Sequence, residues 1–152
     1  MEINGTYELR ASQDLIWSAM MEPRILTQCI PACQVIERTS EQSFNALVKV
    51  KIGFIPVSFN VNLMLSNLNP PKHYSLEAQA TGGLAHAAKA TGNVEFIQIN
   101  NQLTCVNFTG RVLPGSKLFE LGEPIVQKTA GKWFTVFFRR FERVLIQGID
   151  QQ

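Results

Sequence analysis

Residues 44–66 read Phe44-Asn45-Ala46-Leu47-Val48-Lys49-Val50-Lys51-Ile52, a break at Gly53–Pro56, then Val57-Ser58-Phe59-Asn60-Val61-Asn62-Leu63-Met64-Leu65-Ser66. In the first half Phe44, Ala46, Val48, Val50 and Ile52 take every second position, with Asn45, Lys49 and Lys51 between them. In the second half Val57, Phe59, Val61, Leu63 and Leu65 alternate with Ser58, Asn60, Asn62 and Ser66. A period of two puts one apolar and one polar face on each strand. Two such runs joined by a short break predict an antiparallel sheet covered on one side only.

The pattern extends outward in both directions. Upstream lies a short run, Val35–Thr39, closed by the polar turn Ser40-Glu41-Gln42; residues 2–10 alternate as well, with Ile3, Gly5, Tyr7 and Leu9 on one side. Downstream, Asn67–Lys72 with Pro70-Pro71 is a turn, after which Tyr74, Leu76, Ala78 and Ala80 oppose Ser75, Glu77, Gln79 and Thr81. Asn100-Asn101 marks a hairpin between Val94–Ile99 and a run through Val106, Phe108 and Val112. Residues 82–92 admit a helix by alanine propensity or an early start of the strand that follows; we take the strand.

Helical signals bracket the strands. Ser12 is a good cap for Leu15, Ile16, Ala19 and Met20, and Pro23 opens a second short helix that Pro31 stops after Ile30. After Pro114-Gly115-Ser116 the period is helical to about residue 147: Leu118, Leu121, Ile125, Thr129, Trp133, Val136 and Arg140 drift along one side. Val126, Ala130, Phe137, Phe141 and Val144 lie beside them. About thirty helical residues span some 45 Å, and Gly122 and Pro124 predict a kink or restart near Glu123. The sheet's apolar face must be covered, and this helix is the one element long enough to do it. The expected class is α+β: a seven-stranded curved antiparallel sheet wrapped around a long C-terminal helix, with two short helices after the first strand, in one domain over 1–152.

Composition narrows the function. The chain is 45% hydrophobic and 17% charged, against roughly 25% charged for an average soluble protein. Yet its aromatic cluster, Trp133–Phe138, is far shorter than the about 20 apolar residues of a membrane span. Met1–Gly5 lacks the features of a secretory signal, so a cytoplasmic location is expected. A net charge of +2 does not suggest a nucleic-acid partner. Its distribution is uneven: residues 1–110 hold seven Lys/Arg and eight Asp/Glu, whereas 111–152 hold seven and four.

No catalytic constellation, phosphate loop or metal spacing is present, and no cofactor is expected. Cys29, Cys33 and Cys105 read as reduced, buried thiols. An enzyme would have to work with isolated groups such as Glu77, His86, Lys89 or Arg111, while His73 reads as a surface turn residue. The conspicuous feature is small volume: nine of the fifteen residues from Ala78 to Gly92 are Ala or Gly. Small walls either let the helix approach closely or leave an apolar cavity. Lys132, Trp133, Phe134, Phe137, Phe138, Arg139, Arg140, Phe141 and Arg143 form a second feature. One face of that segment packs on the sheet; an aromatic edge rimmed by arginines would remain for a partner or an anionic membrane.

Several local motifs in order carry a resemblance: Gly5-x-Tyr7-x-Leu9-x-Ala11-Ser12 with Trp17, Cys29-Ile30-Pro31-Ala32-Cys33, and Phe44-x-Ala46-x-Val48-x-Val50 ending at Gly53. Leu68-x-Pro70-Pro71 with Tyr74, Gly82-Gly83-x-Ala85 through Lys89, and Pro114-Gly115-Ser116-Lys117-Leu118 with Leu121-Gly122 complete it. Together they resemble the START-like helix-grip (SRPBCC) superfamily and, within it, the CoxG family of carbon monoxide dehydrogenase subunits. The family pattern has Gly where this chain has Ala32, and usually lacks a proline at Pro124, so the entry of the long helix is expected to differ. Members often carry a membrane-associating C-terminal extension; this sequence ends at Gln152, so no dedicated anchor is expected.

The resemblance implies an apolar cavity between sheet and helix, and a role beside molybdenum hydroxylases, recruiting them to the inner membrane face or carrying a quinone- or lipid-like molecule. The superfamily's polyketide cyclases make a cavity enzyme the alternative, and a docking module for a dehydrogenase a third. The cavity wall is expected from Leu26 and Ile30 of the second short helix and from Val48, Phe59 and Val61 of the central strands. Ala78, Ala80 and Ala90 of the small-walled stretch, Phe108 of the last strand, and Ile125, Trp133 and Phe137 of the long helix complete it. Opening of the helix or of the 53–56 turn would admit the ligand.

Overall fold

The computed structural model describes residues 1–52, 54–82, 88–115 and 117–150. Ser12 caps α1 (Gln13–Met20) with its side chain, accepting from the Leu15 amide at 3.3 Å, and α1 turns Ile16, Ala19 and Met20 inward. Pro23 opens α2 (Pro23–Cys29), where its missing N–H costs nothing. These helices connect β1 (Glu2–Leu9) to β2 (Cys33–Ser40), which lie at opposite edges of the sheet. At the α2–β2 corner Ala32 adopts φ 59°, a left-handed conformation in which its Cβ crowds the backbone. The resemblance expects Gly here, and the geometry supplies the reason. Ala32→Gly is therefore expected to raise stability by about 1 kcal/mol, read as a shift in the urea midpoint; an unchanged midpoint would show that the corner carries no strain.

β3 (Ser43–Ile52), β4 (Ile55–Asn69), β5 (His73–Thr81), β6 (Ala88–Asn100) and β7 (Leu103–Val112) follow as a meander. The order is β1-β7-β6-β5-β4-β3-β2, all antiparallel, so the first strand pairs with the last. Ala88–Gly92 is strand, because pairing with β5 overrides alanine's helical preference: Ala78 faces Ala90 and Ala80 faces Ala88. Residues 83–87 of that ambiguous stretch lie outside the described residues. A 3-10 turn, Lys117–Leu121, precedes α3 (Glu123–Asp150), and Gly122 at φ 91° makes the expected break. Pro124 falls in the first turn of α3, where a helix tolerates it.

The core lies under the C-terminal half of α3. Phe141 is fully buried; Phe138, 6% exposed, stacks on Tyr7 at 4.4 Å between ring centroids. Phe96, Val106 and Leu9 from the sheet and Ile16 and Cys29 from α1 and α2 complete this centre. Thr104 is its one buried polar side chain among the described residues; it is satisfied by donating to the Ala11 carbonyl at 2.8 Å. At the surface, the Glu142 carboxylate accepts from the Arg10 guanidinium and from the Arg10 amide, tying α3 to the end of β1.

The aromatic edge of α3 is partly covered. Phe134 and Phe137 pack against the core, as does Trp133, and Phe108 meets Phe134 at 4.3 Å. The apolar arc is broad because the helix is gripped from two directions, by the sheet and by α2. Arg139, Arg140 and Arg143 are exposed.

Candidate functional site: an apolar groove beside a lysine-rimmed cleft

The strand register puts one set of side chains on the concave face. Phe59, Val61 and Leu63 of β4 stand beside Leu76, Ala78 and Ala80 of β5, and then Ala90 of β6. All seven are half-buried, although all are apolar. The cause is the position of α3, whose backbone approaches β1, β3 and the short helices. Among the described residues it makes no comparable approach to β4, β5 or β6. Alanine occupies three of these positions, so the strip presents small side chains where its neighbours on β4 present large ones.

The expected wall residues divide accordingly. Phe59, Val61, Ala78, Ala80 and Ala90 come together on this strip, while Ile30, Phe108, Trp133 and Phe137 are half-buried around its edges. Leu26 and Val48 are packed inside the core, and Ile125 is 46% exposed near the start of α3. A cleft of about 480 Å³ adjoins Trp133. Pro31 and Ala32 of the α2–β2 corner and Lys49, Lys51, Pro56 and Ser58 of the β3–β4 hairpin bound it on the other sides. The sequence marked Lys49 and Lys51 only as the polar face of a strand; nothing local showed that Trp133 would lie across from them.

The groups proposed for catalysis lie elsewhere. Glu77, Lys89 and Arg111 alternate with concave positions and are exposed on the opposite face. Arg111 borders an outward polar hollow of about 270 Å³ with Glu2, Asn4 and Thr109. His86 lies outside the described residues. His73 sits at the start of β5, its Nδ1 3.3 Å from the Asn67 carbonyl.

Among the described residues, three ionisable groups are kept in their neutral form by burial. Burial pushes the Tyr74 hydroxyl up to about 12 and the Cys29 thiol up to about 11, the latter opposed in part by Arg140. Burial also raises Cys33, against a hydrogen bond from the Val35 backbone. At neutral pH each keeps its proton, so none supplies a base or a thiolate nucleophile.

The family model for CoxG, a carbon monoxide dehydrogenase component, matches residues 5–146. The chain belongs to the CoxG family. A conserved protein from Geobacillus kaustophilus is similar in structure, with a TM-score of 0.88, 24% identity, and coverage of 97% of this chain and 96% of that one. A START superfamily protein from Mycobacterium smegmatis follows at a TM-score of 0.73 and 16% identity, covering 96% and 97%. The Zhui aromatase/cyclase from Streptomyces sp. R1128 also reaches 0.73, at 8% identity, covering 98% and 95%. At such identities these likenesses show the shared START-like helix-grip fold. No curated protein matches the chain significantly. Among the described residues of this CoxG family member, no helix is long and apolar enough to cross a membrane.

Proposed function

We propose that this CoxG family member is a non-enzymatic carrier of a hydrophobic, quinone- or lipid-like molecule, held between α3 and the concave face of the sheet. It serves as an accessory to a molybdenum hydroxylase of the carbon monoxide dehydrogenase type. The observation that carries the reading is the strip Phe59, Val61, Leu63, Leu76, Ala78, Ala80 and Ala90, apolar throughout yet half-buried. A ligand covering about 200 Å² of such surface gains about 5 kcal/mol at ~25 cal/mol per Å². The family supports an association with the dehydrogenase, and the fold supports an apolar ligand.

The cyclase reading draws on the aromatase/cyclase among the structural neighbours. Of its first candidate groups, Glu77 and Arg111 are exposed on the far side of the sheet, and His86 lies outside the described residues; the two that are described favour the carrier. A native mass spectrum of protein purified without added ligand tests it: an excess mass released by organic solvent is expected. A bare polypeptide mass, with no uptake from added quinone or fatty acid, would overturn the reading.

A further inference from the structure

Among the described residues, the β3–β4 hairpin extends past both neighbours. Pairing of β2 with β3 ends at Cys33 and Val48, and pairing of β5 with β4 at Thr81 and Asn60. The Lys49 amide still reaches the Ala32 carbonyl at 3.1 Å, and Ser58 still lies against Gly82; beyond them, among the described residues, Val50 to Ile52 and Ile55 to Val57 have only each other as ladder partners. Three residue pairs at about 3.4 Å per residue make an overhang of about 10 Å. At its tip Phe54 is 100% exposed and Ile55 is 42% exposed. Pro56 beside them is exposed as well.

The charge around the tip has one sign. Lys49 and Lys51 are both exposed on the ribbon, and no Asp or Glu occurs between Glu41 and Glu77. The apolar area, in contrast, is small. A Phe side chain contributes about 200 Å², whereas a stable protein interface buries about 800 Å² per partner. One aromatic, one isoleucine and two cations suit the headgroup boundary of a bilayer, where a few apolar side chains partition while lysines meet anionic lipids.

We propose that the β3–β4 ribbon is the membrane-docking element of this protein, with Phe54 entering the interface of an anionic bilayer and Lys49 and Lys51 engaging its headgroups. The docking site is thus the hairpin tip and not the aromatic stripe of α3, whose residues are partly or fully packed against the core. Lys49, Lys51 and Pro56 also wall the cleft beside Trp133, so docking sets that cleft against the lipid.

Co-sedimentation with phosphatidylglycerol/phosphatidylcholine vesicles and with phosphatidylcholine alone tests this. The wild type is expected to pellet with the anionic vesicles and to be released by salt. Lys49→Gln with Lys51→Gln should weaken partitioning roughly thirty-fold, and Phe54→Asp should abolish it, with unchanged circular dichroism because Phe54 touches nothing it would leave. Arg139→Gln with Arg143→Gln should partition much like the wild type. Phe54→Trp should add a blue-shifted emission component on anionic vesicles only. Equal binding to both vesicle types, tip variants that pellet like the wild type, or loss in the Arg139/Arg143 variant alone would each overturn the assignment. So would tip variants that lose a protein partner while no form binds vesicles. A native mass spectrum of Phe54→Asp should show the wild-type bound mass, which separates failure of docking from failure of the carrier reading.

Discussion

Ala80→Phe is expected to abolish retention of the apolar ligand while leaving the melting temperature nearly unchanged. Ala80 is half-buried on the concave face, opposite Val61 on one side and Ala88 on the other. A phenyl ring there would cover the part of the concave strip on which the proposed ligand lies. Removing about 100 Å² of ligand contact at ~25 cal/mol per Å² costs about 2.5 kcal/mol, approaching a hundredfold in affinity. The stability readout decides what kind of space it is. In a closed core the added ring would overpack and cost about 1–3 kcal/mol, whereas in an open groove it has somewhere to go. Unchanged ligand retention with an intact fold would move the binding site away from the strip.

Phe141→Ala is expected to cost about 3–5 kcal/mol, a large share of the roughly 5–15 kcal/mol available to a typical domain. Phe141 is fully buried, and its ring stacks on Phe137 with centroids 5.6 Å apart. Neighbours held by the sheet and by α2 cannot collapse far into the vacated volume, so the cavity term adds to the lost transfer energy. Phe138→Glu belongs to the same class, because it would put a carboxylate against Tyr7; loss of a partner in that variant would report unfolding. Chemical denaturation of Phe141→Ala checks the magnitude. A loss below about 1 kcal/mol would show that the C-terminal half of α3 is not gripped as described.

Element order was legible because local chemistry and periodicity agreed. Ser12 and Pro23 announced their helices, the alternation in 44–66 announced its strands, and Gly122 with Pro124 announced the restart of α3. The start of β6 was harder, since Ala88 and Ala90 prefer a helix locally and become strand through pairing with Ala80 and Ala78. The site was legible as a composition and not as a place. Nine small residues between Ala78 and Gly92 signalled missing volume. Their meeting with Phe59 and Val61, and the depth of Leu26 and Val48, depend on cross-strand register and helix placement, which no local window contains. Phe54 followed a glycine in a break between strands, and its lack of any covering neighbour is likewise a tertiary fact.

The two halves of α3 are held very differently. The later half is locked by Phe138, Phe141 and Leu145, whereas over the first turns Gln127 donates to the Glu2 carbonyl at 3.0 Å and Ile125 faces outward. On the carrier reading, folding and cargo choice therefore draw on separate stretches of a single helix. A lineage can exchange one bound molecule for another by drift near the entrance of α3 and along the alanine strip, without crossing a valley of unfolded intermediates. Diversity among descendants should collect at that end, and invariance at the other.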